Sequence, residues 1–196
     1  MTKLKALGHT VEEVSMPTVD LGLAVYYVVI PAEVSSNLQR YDGIKFGHSA
    51  KNPTSLDDLY GKSRDEGFGA EAKRRILIGT YVLSSGYIDA YYNKAQTVRT
   101  KIINEFAKAF DSYDLLLGPL APYTAFKIGQ NVNDPLQMYL ADKMTVAASL
   151  AGLPALSIPA GEDDNGLPIG LQLIGAQRSD GLLFSVAKQL EEANRG

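Results

Sequence analysis

Cysteine and tryptophan are absent from the 196 residues, and histidine occurs only at His9 and His48. Without cysteine there is no disulfide, no zinc–thiolate site and no thiol nucleophile. The two histidines have no partner at metal-ligand spacing and read as loop or surface residues, so a Ser-His-Asp mechanism finds no support. A surplus of basic charge is also missing: 19 Lys and Arg stand against 22 Asp and Glu, a formal net charge of −3. A chain that grips nucleic acid unaided needs that surplus, because neutralising phosphates supplies most of the affinity. Any RNA handled here is therefore held by another chain or by a local patch. Gly118 and Gly129 are isolated and no phosphate-cradling glycine loop occurs, which excludes an ordinary nucleotide site. Apolar runs such as Leu21–Ile30 fall short of the roughly 20 residues a membrane span needs. No basic stretch followed by an apolar one opens the chain, so no secretory leader is expected. These absences together predict a soluble cytoplasmic protein.

What is present predicts interleaved helices and strands. The first residues read as a helix closed at Gly8, followed by a short strand at Val11–Val14. A helix end leading into a strand is an unusual way for a domain to open, and predicts that the chain is a piece of a larger one. Asp20 is expected to cap an apolar helix over 21–38, kinked at Pro31. A polar loop spans 41–53, and Thr54 or Ser55 caps a short helix. Gly67-Phe68-Gly69 precedes a strong helix from Ala70 to about Leu83. Between Tyr87 and Phe110, Tyr92, Ala95, Val98, Ile102, Phe106 and Ala109 recur at helical spacing. Residues 114–118 read as a buried strand. Asp134-Pro135 opens a helix expected to run to Leu150 and stop at Gly152. Residues 155–159 and 169–174 flank the turn-forming Asp163-Asp164-Asn165-Gly166 and predict a hairpin. Ser179 is expected to cap a last helix with Leu183, Val186, Ala187 and Leu190 inside. The class is α/β or α+β with a mixed sheet covered by helices.

Few residues carry a chemical signal of their own. Ser35-Ser36 and Ser84-Ser85 lie at or near helix ends, where serine bonds the main chain, and not in a glycine-rich strained turn that would expose a nucleophile. In Lys73-Arg74-Arg75 the first two fit a solvated face. Arg75 leads into the apolar stretch Ile76–Tyr81, expected to be largely buried, and a buried guanidinium needs a carboxylate or an anionic ligand. Asp142 is similarly embedded among Met138, Tyr139, Leu140, Met144 and Val146. The spacing alone does not pair the two.

Longer stretches carry a resemblance. Residues 31–43, 66–76 and 83–92, together with Gly118-Pro119-Leu120-Ala121-Pro122, residues 151–159 and residues 166–172, resemble the amidase-signature family. The first two are closest to the family's tRNA-dependent amidotransferase branch, and the match runs in order along essentially the whole chain. The resemblance implies an α/β fold with a mixed sheet covered by helices, of which residues 1–196 would be the C-terminal part. It implies an enzyme that hydrolyses glutamine and passes the ammonia to a B subunit. That subunit uses ATP and Mg to convert Glu-tRNA(Gln) to Gln-tRNA(Gln), and a C subunit bridges the two. No cofactor is expected in this chain itself, nor any metal or membrane.

The family's Ser–cis-Ser–Lys triad sits in a Gly/Ser-rich segment upstream of the stretch matched here, and no such segment occurs in this sequence. No residue is therefore assigned to catalysis, and the chain alone is expected to be inactive. What the resemblance does transfer is half of a substrate pocket. Arg75 would hold the α-carboxylate of glutamine and Asp142 its α-ammonium, the two facing one cleft. Tyr26 would line the pocket, with the adjacent Tyr27 as the alternative. An Arg fork with a carboxylate selects a free amino acid over a simple amide. Two other readings stay open: an amide hydrolase of the same superfamily with another substrate, and a non-catalytic module that docks on partner subunits.

Overall fold

The computed structural model describes residues 2–130 and 135–195, and divides into two compact units, Met1–Leu23 with Val98–Gly196, and Ala24–Thr97. The first unit holds α1 (Thr2–Ala6), most of α5 (Lys94–Phe110), β1 (Leu115–Pro119), α6 (Pro135–Leu140), α7 (Val146–Ala151), β2 (Ala155–Glu162), β3 (Pro168–Gly175) and α8 (Asp180–Arg195). The second holds most of α2 (Gly22–Leu38), with α3 (Leu56–Gly67) and α4 (Ala70–Val82). The interleaving gives the α/β class expected.

In the first unit the three strands pair antiparallel in the order β1-β3-β2. Central β3 is buried along Gln172–Gly175, which suits its run of Leu171, Leu173 and Ile174. The β2–β3 register shifts between Pro159 and Gly161, where proline cannot donate to the ladder. The hairpin turn is held by Asp163, whose Oδ1 accepts from the amides of Asn165 and Leu167 at 2.8 and 2.9 Å, while its Oδ2 accepts from Thr124 Oγ1 at 2.7 Å. Helix α8 packs on β2 and β3 through the four residues expected, Leu183, Val186, Ala187 and Leu190, against Leu4, Ile158 and Leu173.

Several expectations need correction. Val11–Val14 is irregular backbone, not a strand. Asp20 does not cap α2: it lies inside a 3₁₀ turn, Pro17–Leu21, that runs directly into the helix. The amide and hydroxyl of Thr18 both reach Glu105 Oε2, so a carboxylate on α5 satisfies the start of that turn. Helix α2 itself runs to Leu38 with Pro31 inside it, the extent expected. The stretch Tyr87–Phe110 starts as a turn and a π-helical segment, Asp89–Asn93, before α5 proper. Strand β1 is half-buried along most of its length, with only Leu116 fully covered, because it lies at the sheet edge. Ser179 sits before α8, but its hydroxyl donates back to the Ala176 carbonyl at 2.8 Å. The cap expected at Asp134 lies outside the described residues. The helix from Pro135 does not run to Leu150: α6 stops at Leu140, and residues 141–145 intervene before α7. Gly152 ends α7 with φ +69°, a left-handed value that glycine takes without a Cβ clash.

Joined to its 3₁₀ turn, α2 forms a helical stretch of 22 residues, Pro17–Leu38, long and apolar enough by length and composition to cross a membrane. This exceeds the run read from the sequence. Core helices of globular domains pass the same test, and Val25, Val29 and Ala32, spaced along one face, are buried.

Candidate functional site

The helical unit places Arg75 through a close approach of two helices. A Cβ built on Gly79 of α4 would stand 1.9 Å from the Pro31 carbonyl oxygen of α2, so only glycine permits this contact. One turn earlier on α4 is Arg75, and one turn earlier on α2 is Tyr27. The Arg75 guanidinium lies 5.5 Å from the centroid of the Tyr27 ring, in cation–π geometry. The two helices therefore meet at one close point, Gly79 against Pro31, and the long Arg75 side chain reaches Tyr27 beside it.

Arg75 is thus held on three sides. Its Nε donates to Glu71 Oε1 at 2.9 Å, and its Nη1 stands 3.5 Å from Tyr26 Oη. The Tyr26 and Tyr27 rings meet edge to face at 5.1 Å. Partial burial alone would lower the guanidinium's pKa. The hydrogen bonds to Glu71 and Tyr26 outweigh that effect and raise the pKa above its ordinary value, so the group stays charged. Both tyrosines touch Arg75, the phenol of one and the ring face of the other, so the choice between them is a choice of contact type. The sequence did carry a signal for the carboxylate partner: Glu71 and Arg75 stand at i and i+4 on one helix, with the acid on the N-terminal side.

The surroundings of Arg75 are less buried than expected. Leu77 is 70% exposed and Ile78 and Tyr81 are exposed as well. Helix α4 covers only a narrow strip, with Gly79 and Val82 buried, because the helices meet at a small residue. Arg74 is exposed and pairs with Glu71, while Lys73 bridges to Asp65 of α3 at 2.5 Å. A groove of about 570 Å³ lies in the same unit, lined by Leu38, Phe68, Lys73, Ile76 and Leu77 among others, but neither Arg75 nor Tyr26 lines it. Its walls are mainly apolar, whereas the convergence of charge and phenol at Arg75 is what an amino-acid carboxylate would require.

Asp142 belongs to the other unit and sits in the segment between α6 and α7. The amides of Ala141, Asp142, Lys143 and Thr145 each reach back three residues, at 3.3, 3.2, 3.2 and 3.0 Å, which is 3₁₀ bonding. The Asp142 carbonyl accepts from the Thr145 and Val146 amides and from Thr145 Oγ1. Asp142 is half-buried in a tightened turn, not on the helix expected for it.

Ser35, Ser84 and the two histidines each make a contact within the fold. Ser35 Oγ donates to the Ala32 carbonyl and Ser84 Oγ to the Tyr81 carbonyl, at 2.9 and 2.7 Å. His9 Nε2 donates to Gln189 Oε1 at 3.0 Å, and His48 pairs with Glu66. Among the described residues no group of three or more His, Asp or Glu could hold a metal ion.

A protein-family model described as Amidase matches residues 1–184. Over 193 residues, 98% of the chain, the sequence is 52% identical to the A subunit of glutamyl-tRNA(Gln) amidotransferase from Chromobacterium violaceum, covering 40% of that protein. Identity is 55% over 191 residues, 97% of the chain, to the protein of the same name from a Synechococcus species, covering 39% of it. The crystal structure of the corresponding A subunit from Thermotoga maritima superposes with a TM-score of 0.70 at 42% identity, over 97% of this chain and 36% of that one. The chain therefore spans about 40% of the length of the curated relatives it matches.

Proposed function

The chain belongs to the amidase family, and from that premise we propose that it forms part of the glutamine-hydrolysing subunit of a glutamyl-tRNA(Gln) amidotransferase. The observation that carries this reading is the identity of 52–55% over nearly the whole chain to proteins of that name. The Arg75 cluster supports it independently: a permanently charged fork, braced by Glu71 and two tyrosines, suits an α-carboxylate. In this reading Arg75 binds the α-carboxylate of glutamine, Asp142 its α-ammonium, and Tyr26 lines the pocket. The ammonia released passes to a B subunit that uses ATP and Mg to amidate Glu-tRNA(Gln), with a C subunit between the two, in the cytoplasm. The residues of this chain supply recognition. The nucleophile has no counterpart among them, and the isolated chain should release no ammonia from glutamine above a blank.

The test uses an assembled amidotransferase in which this chain replaces the matching stretch of the Chromobacterium violaceum protein. Arg75→Ala should raise KM for glutamine sharply, since losing one partner of a charge-assisted pair costs roughly 2–5 kcal/mol. Amidation with ammonium supplied directly should survive, because that route bypasses the glutamine pocket. Equal loss of both activities would make Arg75 a structural residue and remove the support that the cluster gives.

A further inference from the structure

We propose that Gln172 is a positioning residue for Asp142, holding the tightened turn that sets the direction of its carboxylate. The proposal rests on the reading of Asp142 as the ammonium-binding residue. Gln172 lies on central strand β3 and is 5% exposed; Leu171 and Leu173 turn to the opposite face, where they pack with α8, and the next strand residue on its own face is the buried Ile174. On the flanking strands it faces Gly118 and Ser157. Nothing in that packing calls for an amide, and a buried polar group is tolerated only where it is hydrogen-bonded. Its partner is remote in sequence: Nε2 donates to the Met144 carbonyl at 3.0 Å.

That carbonyl lies where the 3₁₀ run meets α7, two residues beyond Asp142. A 3₁₀ turn advances about 120° per residue and an α-helix about 100°, so each residue converted between the two rotates the rest of the segment by roughly 20°. The hydrophobic pattern from Pro135 to Leu150 would let the whole segment run as one α-helix, with Asp142 on another bearing. Two devices oppose this. Thr145 bonds the Asp142 carbonyl through both its amide and its hydroxyl, and Gln172 ties the next part of the turn to the sheet. The first is local and travels with the segment. The second fixes the segment to a rigid strand, which a residue presented to a ligand needs.

Gln172→Leu keeps the volume and removes the donor, and Gln172→Met is a second variant should leucine fold poorly. In the 196-residue chain, hydrogen exchange at the Thr145 and Val146 amides should accelerate about tenfold or more, while exchange on β3 and α8 stays at its original rate. Unchanged protection at those two amides overturns the proposal. In the assembled chimera, Gln172→Leu should raise KM for glutamine about tenfold with kcat little changed, a size typical of misplacing a binding group. The deamino analogue 4-carbamoylbutanoate has no ammonium to lose, and the variant should bind it as before. A loss of equal size on both compounds makes Gln172 merely structural and overturns the proposal. Asp142→Asn separates the two readings. If it fails to discriminate between the compounds, the role of Asp142 is wrong. If it discriminates and Gln172→Leu does not, the role of Gln172 is wrong.

Discussion

Arg75 and Asp142, the two charged residues expected to recognise one substrate, are built in opposite ways. Arg75 is placed by its neighbours on one helix and by a single helix–helix contact. Glu71 is one turn away, and Gly79, one turn on, sets α4 against α2. Asp142 owes its setting to a residue 30 positions later in the chain, because the turn that carries it is tied to Gln172 on β3. The difference teaches where sequence reading has leverage. A charge fixed at i, i+4 can be found by counting. A charge fixed through a strand that reaches the turn only after folding cannot.

This contrast can be broken by substitutions that disturb one side and leave the other intact. The largest effect is expected from Leu173→Ala, next to Gln172 and 2% exposed, which should cost about 2–5 kcal/mol. Urea unfolding should show the loss, with the sheet and α8 amides exchanging faster and those of α4 little altered. Gly79→Ala should come next, roughly 1–3 kcal/mol or more, since its Cβ meets backbone and not a movable side chain. Exchange should then accelerate along α2 and α4 while the β2–β3 hairpin keeps its protection. Acceleration of equal size in both units would show that the two residues share one cooperative framework, and the contrast would fail.

Glu71→Gln should cost only about 0.5 kcal/mol, the worth of a partly exposed i, i+4 pair. Its informative effect is on Arg75: KM for glutamine in the chimera should change while exchange at the Asp142 turn does not. The smallest effect concerns pH. The hydroxyl of Thr124 and the amides of Leu167 and Asn165 hold the Asp163 carboxylate below its ordinary pKa of 3.8. A depressed carboxylate pKa contributes stability that is present in full above the unfolded value. That contribution is lost as pH falls below about 4 and through the lowered pKa. Exchange at Leu167 should therefore accelerate on acidification relative to its intrinsic rate, and Asp163→Asn should remove that acid sensitivity.

Much of the fold was legible because it is written in local patterns. The inner face of α8, the hairpin around Asp163, the cap at Ser55 and the stop at Gly152 all came from spacing or turn chemistry. The errors share a cause. Asp20 looked like a cap, but the 3₁₀ turn before α2 is satisfied by Glu105, a residue far along the chain. The apolar run Ile76–Tyr81 looked buried, but α4 presents only a glycine strip to its neighbour. The segment from Pro135 to Leu150 looked like one helix, since no residue within it announces a change from α to 3₁₀ bonding.

By itself the sequence determined the family, the α/β class, the absence of any thiol, and Arg75 and Asp142 as candidates. Residue identity and order are enough for each of these. Tertiary structure alone decided that Arg75 lies on the Tyr27 face, that Asp142 sits in a tightened turn, and that Gln172 reaches that turn. These depend on which distant backbone atoms come within hydrogen-bonding or van der Waals distance. Periodicity reports which face of an element is apolar, and carries no information about what that face will meet.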